Sequence, residues 1–313
     1  MFNLYINGQE VKKIIGMEHK MSLETVCNVL NLKLYPKDNY KLGSLVELKT
    51  DKEAVFTGHL EISNETLTSE EHTLTLSARS ITSILVDSTT KTKEWIKNTS
   101  LKKIIQDIAA ELGINVKVSS NYKTQELYSI EPGEYAYEAI ERLIRPYGLL
   151  MNTRDKTLNV FTPTSQTPKQ VNESKITESV SEQDITGLYN KIIVLGEDKQ
   201  EGEAINENIK TDRVLTIVST LNNQTDLDNR ASWENAIRAA RAKNITLTLS
   251  GAFSILSGDT VLYRGEEFLV SHVSLSINEN GTNTFLDLKN IGCYTPIPKV
   301  NKENKEEKND PFQ

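Results

Sequence analysis

Two short amphipathic helices, set between β-rich segments, constrain most strongly how this chain of 313 residues can fold. The first follows a capping candidate within residues 98–100 and stops at Gly113, and the second lies between Pro132-Gly133 and Pro146. Each has one apolar stripe, which comprises Leu101, Ile104, Ile105, Ile108 and Leu112 in the first and Ala136, Ala139, Ile140, Leu143 and Ile144 in the second. A strand-like run follows each helix, so we predict a small α/β unit over residues 89–162.

Residues 1–88 show the alternation of half-buried strands. The clearest case is the run Thr73-Leu74-Thr75-Leu76, which has one apolar and one polar face. Asn7-Gly8 suits a tight hairpin turn, because both residues tolerate a positive φ. Gly58 interrupts a strand and indicates a bulge or a sharp bend, which a barrel requires. We therefore predict an N-terminal β-barrel over residues 1–88.

Composition divides the rest of the chain into three further parts. Residues 163–179 are polar, contain Pro168 and lack apolar periodicity, which is typical of a linker. Strand-like runs return over residues 180–296 around one helix at 226–243, so we predict a second barrel there. Residues 297–313 are dominated by Lys, Glu and Asn, and we expect this tail to be disordered. The predicted fold class is α+β and β-dominated, with two barrels and an inserted α/β unit.

A weak internal repeat relates the two predicted barrels. Residues 43–48 resemble residues 258–263, and the segment around His59 resembles the segment around His272. A third pair of runs, at residues 73–76 and 285–288, follows in the same order. Each copy is a meander of three strands, and we interpret the correspondence as a duplication.

Charge and cysteine content exclude several classes of protein. The formal net charge is -7, which disfavours a dedicated nucleic-acid binder. No apolar run is long enough to span a bilayer, and the N-terminus lacks the pattern of a signal peptide, so we expect no membrane insertion. Cys27 and Cys293 are interpreted as two buried thiols, although a disulfide between them stays open.

Candidate catalytic chemistry is absent from the sequence. None of the four histidines, which are His19, His59, His72 and His272, has a second ligand at metal-binding spacing. Acidic pairs such as Glu266-Glu267 fall in turns or on polar helix faces, and no phosphate-binding loop or nucleophile elbow occurs. We therefore predict no catalytic, cofactor or metal site, and a protein that is not an enzyme. Three large aromatic residues remain as candidate core or interface anchors: Trp95, Trp233 and Tyr137.

Several short motifs follow one another along the chain, each of them weak by itself. They are Glu94-Trp95, Leu101-x-x-Ile104 with Asp107, Leu112-Gly113-Ile114, Pro132-Gly133-Glu134, Glu138-Ala139-Ile140, Tyr147-Gly148-Leu149, Arg230-Ala231-Ser232-Trp233-Glu234 and Gly265-Glu266-Glu267-Phe268. Their order and spacing together resemble the baseplate hub proteins of Mu-like contractile phage tails, also called the gpP-like or late-control family. The resemblance extends over nearly the whole chain, to about Pro296.

The resemblance implies a structural role in a phage tail or a tail-like particle. A homotrimer of chains with two tube-related barrels would adapt a six-fold tail tube to a three-fold spike. The implied partners are the chain itself, the central spike protein, the tail tube or tube-initiator protein and the baseplate wedge proteins, with the tape measure protein as a further candidate. DNA would pass through the lumen without specific binding. The implied location is the tail baseplate of a virion assembled in the bacterial cytoplasm, and the family is related to the upper part of type VI secretion spike proteins.

Two other functions stay open at this point. A tail-associated cell-wall hydrolase would need a catalytic cleft, for which the sequence offers no residues. A distal tail or tail-associated protein of a non-contractile phage would share the hub fold.

Overall fold

The computed structural model describes residues 2–36, 40–50, 54–163, 167–196, 199–219, 221 and 223–298. The chain divides into two compact units. The first comprises Met1–Glu182 and Asn244–Ile291, and the second comprises Gln183–Lys243 with the residues from Gly292. Strands dominate and helices are few, so the predicted α+β, β-dominated class is confirmed. The predicted tail, residues 297–313, lies outside the described residues except for its first two.

The N-terminal segment of the first unit is entirely β-structure up to Ser80. Its strands are β1 (Asn3–Ile6), β2 (Gln9–Glu10), β3 (Ile14–Ser22), β4 (Val29–Leu34), β5 (Leu45–Lys49), β6 (Ala54–Leu67) and β7 (His72–Ser80). The predicted hairpin at Asn7-Gly8 is confirmed, because both residues have a positive φ and β1 pairs with β2 across them.

The predicted α/β unit folds around the two predicted helices. Its elements are α1 (Ile84–Asp87), β8 (Glu94–Trp95), α2 (Leu101–Glu111), β9 (Asn115–Val118), β10 (Tyr128–Ser129), α3 (Ala136–Ile144), β11 (Leu150–Arg154) and β12 (Thr157–Phe161). Ser100 caps α2 by accepting a hydrogen bond from the Lys103 backbone N–H at 3.2 Å, and Gly113 stops it with φ +70°. The apolar stripes of α2 and α3 meet in one core, against a sheet of β11, β12 and β9.

The remaining strands follow this unit. They are β13 (Lys169–Gln170), β14 (Ile176–Gln183), β15 (Lys191–Leu195), β16 (Glu201–Ile205), β17 (Val214–Val218), β18 (Lys243–Ser250), β19 (Thr260–Tyr263), β20 (Glu266–Asn278) and β21 (Gly281–Asn290). In the second unit, β16, β15 and β17 form a small sheet against which α4 (Gln224–Arg241) packs. Asn223 caps α4, which therefore begins and ends two residues earlier than predicted.

A single strand path connects the two ends of the chain. Its order is β14-β18-β21-β20-β3-β4-β7-β6-β5-β1-β2, and β20 pairs with β3 in antiparallel orientation. Each predicted repeat copy forms a meander, β5-β6-β7 in the first and β19-β20-β21 in the second. The described pairings form an open path, and no closed barrel is seen among them, so the two barrels stay a prediction.

Alternation along the strands directs apolar residues to one face of this sheet, where they form two cores. The first core includes Leu30, Leu32, Leu76 and Phe56. The second includes Leu247, Val261, Val270 and Leu286. Leucine and valine side chains of this kind each contribute about 1.5–3 kcal/mol when fully buried, so the two cores stabilise the two ends of the sheet.

Regular structure extends into the stretch that the sequence indicates as a linker, residues 163–179. β13 pairs with β19, Val171 is buried in the second core, and β14 begins at Ile176. These strands lack apolar alternation because only scattered side chains, such as Val171, reach the core. Their backbone groups form hydrogen bonds with neighbouring strands. The periodicity of apolar side chains in a sequence does not indicate such bonds.

Candidate assembly surfaces

The described residues contain no group of three or more His, Cys, Asp or Glu side chains that could hold a metal ion. The four histidines are dispersed: His19 is buried beside Phe56, His59 Nδ1 lies 3.2 Å from the Gly43 carbonyl, His72 pairs with Glu65 and His272 lies in β20. Cys27 and Cys293 are both free thiols. None of the described helices has the length and hydropathy to cross a bilayer.

The face of the long sheet opposite the two cores is polar. A chain of side-chain hydrogen bonds crosses four of its strands. Ser274 of β20 donates to Glu18 of β3 at 3.2 Å, Asn31 of β4 donates to the same carboxylate at 3.4 Å, and Ser77 of β7 donates to Asn31 at 2.8 Å. We call these four strands with β6, β14, β18 and β21 the eight-strand face. The hydrogen-bonded chain makes this face continuous across the junction between the two ends of the sequence.

Glu18 lies near the centre of the eight-strand face. Burial opposes its ionisation, but hydrogen bonds from Lys20, Asn31 and Ser274 and the charge of Lys20 outweigh burial and lower the pKa of its carboxyl. Lys20 is 2.9 Å away. The centre of the face therefore carries a paired and nearly neutral set of charges.

The eight-strand face ends on one side at the second half of β6. From Glu61 to Leu67, β6 pairs only with β7 among the described strands, and all seven residues are exposed. Ile62 and Leu67 are 52% and 74% exposed, which leaves two apolar side chains along this edge. Unpaired backbone groups on an edge strand are a template for pairing with another strand.

The other side of the face ends at β14. This strand pairs with β18 at the end of the strand path, and residues 177–183 are exposed. Val180 is 51% exposed. Among the strands that the structure describes, the eight-strand face therefore ends in two open edges, the second half of β6 and the outer side of β14.

The junction of β20 with β3 shows how such an edge is covered within the chain. The first part of β20 pairs with β19, and after a bulge between Val270 and His272 the strand pairs with β3. β6 is built in the same way, since it pairs first with β5 and has a bulge between Leu60 and Ile62. In β20 the second half is covered by β3, whereas the corresponding half of β6 is open.

Trp95 lies in the core of the α/β unit at 7% exposure. Its indole N–H donates to Asp107 Oδ2 at 3.0 Å, and its ring packs on Tyr128. Burial opposes ionisation of Asp107, but hydrogen bonds from Lys103, Trp95 and Lys93 outweigh it and lower its pKa to about 2. In this structure Trp95 joins β8 to α2.

Tyr137 lies on α3 and is half-buried. Its hydroxyl donates to the Glu24 carbonyl at 3.1 Å, which connects α3 to the segment between β3 and β4. Burial is the main cause that raises the pKa of Tyr137 to about 12. The structure places Trp233 elsewhere, half-buried on α4 of the second unit with Arg230 over its ring at 4.9 Å. The three anchors therefore do not meet in one site.

Sequence reasoning missed both open edges. β14 spans the predicted boundary between the linker, residues 163–179, and the second barrel, and the exposed second half of β6 lacks apolar alternation. The available signal was composition, because β14 is rich in Thr, Ser and Val, which are common in strands or tolerated at exposed edges. No local pattern in the sequence predicts that β20 pairs with β3.

No curated protein matches the chain. One protein-family model does match, that of the second domain of gp44-like baseplate hub proteins. It matches residues 82–156, which include most of the α/β unit. The resemblance to baseplate hub proteins is confirmed.

Solved structures show the same fold over almost the entire chain. A 43 kDa tail protein of prophage MuSo2 from Shewanella oneidensis has a TM-score of 0.80 at 18% identity, covering 95% of this chain and 99% of its own. A tail protein from Neisseria meningitidis MC58 has a TM-score of 0.78 at 19% identity, with 94% and 98% covered. The Escherichia coli c3393 protein, described as a component of the type VI secretion system, has a TM-score of 0.60 at 10% identity, with 91% and 76% covered. The chain thus has the fold of phage tail proteins and of a type VI secretion component.

Proposed function

We propose that this chain is the baseplate hub subunit of a contractile phage tail or a tail-like particle, and that it assembles into a homotrimeric ring. The observation that carries the proposal is the pairing of β20 with β3. This junction joins two strand blocks of the same order, β14-β18-β21-β20 and β3-β4-β7-β6. Each block ends in the second strand of a meander, which is β20 in one block and β6 in the other.

The two open edges are the counterparts of the strands that meet in this junction. β6 corresponds to β20, because each is the last strand of its block. β14 corresponds to β3, because each is the first strand of its block. If β6 of one copy pairs with β14 of the next, the contact between copies repeats the pairing of β20 with β3 within one chain. Such head-to-tail contacts close into a ring when the rotation permits and satisfy the exposed backbone groups of both edges.

Two separate cores under one sheet support two tube-like modules in each chain. One core belongs to the first meander and the other to the second. Three chains would then present six modules around the axis, which resolves the mismatch between a six-fold tube and a three-fold spike. The proposed number of chains, three, comes from the resemblance to hub proteins. The repeated head-to-tail contact between β6 and β14 agrees with a ring of this kind.

The polar face is proposed to line the lumen of the ring. Its serine and asparagine side chains bond to one another and to Glu18, and the acidic balance of the chain disfavours tight contact with phosphates. DNA would pass without specific binding. We further propose that the partners of this chain are the central spike protein, the tail tube or tube-initiator protein and the wedge proteins, with the tape measure protein as an additional partner. The proposed location is the baseplate of a virion that is assembled in the host cytoplasm. A structural role without catalysis is part of the proposal, because nothing in the described residues favours a hydrolase.

The test combines solution mass with cross-linking between the two edges. We expect the chain to reach three times its mass of 35.2 kDa by light scattering as its concentration is raised. A Ser63→Cys, Ser181→Cys variant treated with a short bifunctional maleimide should give covalent dimers and trimers and stop at three chains. The matched controls are the two single variants, which report any background from Cys27, and neither should form a trimer.

Two outcomes would contradict the proposal. A mass that stays at one chain over the whole concentration range, in the presence as well as the absence of a tail tube protein, argues against a ring. A ladder that continues beyond three chains indicates an open filament, in which the head-to-tail contact does not close.

A further inference from the structure

The second compact unit contains a pocket of about 370 Å3 that the proposed ring contacts do not use. One wall is a single face of α4, on which residues recur at spacings of three and four. The other wall is the segment that follows β14. The lining residues that matter here are Asp184, Arg230, Trp233, Glu234, Arg238 and Arg241.

Two buried N–H donors of this lining have no hydrogen-bond partner among the described residues. They are the indole Nε1 of Trp233 and the Nε of Arg238. Arg238 Nε lies 3.5 Å from a Glu234 oxygen, so it gains electrostatic attraction there but no hydrogen bond. A buried donor without an acceptor is costly, because it has lost its water and gained nothing in exchange. Two such donors in one pocket call for a ligand that supplies acceptor oxygens.

The charge of the lining also favours an anionic ligand. Three arginines face two carboxylates, and Glu234 is shared between Arg230 at 2.7 Å and Arg238 at 3.5 Å. Arg241 is exposed and has no ion-pair partner among the described residues. The nearby Arg213 uses its guanidinium on the carbonyls of Ile185 and Thr186 at 2.9 and 3.2 Å. The pocket is thus locally positive in a chain whose net charge is -7.

We propose that this pocket binds a carboxylate carried by a segment of a partner protein. Carboxylate oxygens accept from indole and guanidinium donors with good geometry, so a carboxylate supplies the kind of acceptor that these unpaired N–H groups lack. A nucleic-acid strand is a poorer fit, because Asp184 and Glu234 lie in the lining and would repel successive phosphates. Trp233 thereby acts as a binding anchor, one of the two roles that the sequence indicates for it.

The chain contains only two tryptophans, which makes the test direct. The indole N–H signals of the full chain are followed by nitrogen-15 NMR, and a Trp233→Phe variant assigns them. Trp95 serves as an internal reference, since its N–H already donates to Asp107. The probe is a Gly-Glu-Gly tripeptide with blocked ends, and its neutral match is Gly-Gln-Gly. We expect the Trp233 signal to shift with saturation for the Glu peptide alone, while the Trp95 signal stays in place.

Three variants distinguish binding in the pocket from a general effect of the net charge of the chain. Arg241→Gln should weaken binding roughly three- to fivefold, because it removes one exposed charge. Glu234→Gln should strengthen it, because Arg230 and Arg238 lose their competing carboxylate. Lys210→Gln removes an exposed charge of the same unit outside the pocket and should leave binding unchanged.

The proposal is overturned if the Glu and Gln peptides shift the Trp233 signal equally, or if neither shifts it at the limit of solubility. It is also overturned if inorganic phosphate or a single-stranded oligonucleotide acts at lower concentration than the Glu peptide at constant ionic strength. Loss of the response in Lys210→Gln to the same extent as in Arg241→Gln would assign the effect to net charge and reject the pocket.

Discussion

His19 is a titratable residue in the middle of the long sheet. Its ring is 2% exposed and packs edge-on against Phe56, with the ring centroids 5.5 Å apart. Its Nε2 has no hydrogen-bond partner among the described residues. Burial lowers the pKa of His19 from 6.5 to about 4, because a charged imidazole would lose its hydration there. The neutral form is therefore the one that the fold accommodates.

Stability should fall on acidification through this residue. Because the folded pKa lies below the unfolded value, the unfolded chain binds the proton first as the pH falls below 6.5, and the loss is complete near pH 4. The shift corresponds to about 3 kcal/mol of unfolding free energy. Chemical denaturation of the wild type and a His19→Leu variant at pH 7 and pH 4.5 measures it, and the variant should lose less on acidification.

A His59→Leu variant is the matched control, since His59 is exposed. It retains the buried imidazole of His19, so it should lose more stability on acidification than His19→Leu does. An equal loss in wild type and His19→Leu would show that groups other than His19 cause the acid sensitivity.

At the scale of elements, β6 depends on a glycine. Gly58 pairs with Val46 on one side and Ser80 on the other. A Cβ atom built at this position would lie 2.1 Å from the Arg79 carbonyl oxygen, so only glycine allows β7 to approach this closely. The sequence predicts a bulge or bend here, and a bulge occurs between Leu60 and Ile62. The glycine thus allows the close approach immediately before the strand bends and becomes an open edge.

Gly58→Ala should destabilise the first unit by about 3 kcal/mol or more, because the clash is with backbone that cannot move aside cheaply. Thermal unfolding followed by circular dichroism measures the change. Gly187→Ala is the matched control, since a Cβ there meets nothing within 4 Å. Equal melting temperatures for Gly58→Ala and the wild type would contradict the role of the close approach.

At the scale of the whole molecule, charge opposes the proposed assembly. Each chain carries -7, and both open edges are acidic. On β6, Glu61 and Glu65 are paired with Arg79 and His72 at 2.5 and 2.6 Å. On β14, Glu178 and Glu182 have no ion-pair partner among the described residues. Backbone pairing of the edges must therefore overcome repulsion between them.

Salt should strengthen the ring for this reason. Raising the ionic strength from about 0.05 M to about 0.5 M shortens the screening length severalfold, so the concentration at which half the chains are trimeric should fall. Sedimentation equilibrium measures that midpoint. A Glu178→Gln, Glu182→Gln variant should show a lower midpoint at low salt and a weaker salt dependence, whereas Glu207→Gln, which removes a charge that belongs to neither edge strand, should behave as wild type. A midpoint that rises with salt would indicate that attractive ion pairs hold the copies together.

The sequence by itself determined the helices, the hairpin at Asn7-Gly8 and the family resemblance. Helices α2, α3 and α4 were predicted within two residues, because a 3.6-residue apolar period, a capping residue and a glycine stop are all local. The three aromatic anchors were identified as residue types, but the sequence left open whether each packs in the core or binds a partner.

Only the tertiary structure decided how the strands are arranged. β20 pairs with β3 although about 250 residues of chain separate them. The alternation of apolar residues predicts which face of a strand is buried, but it does not predict which strand lies beside it. The same limit hid the open edges of β6 and β14, because an unpaired backbone leaves no mark on side-chain periodicity. The pocket on α4 was hidden because two unpaired donors become visible only when every possible acceptor around them has been located.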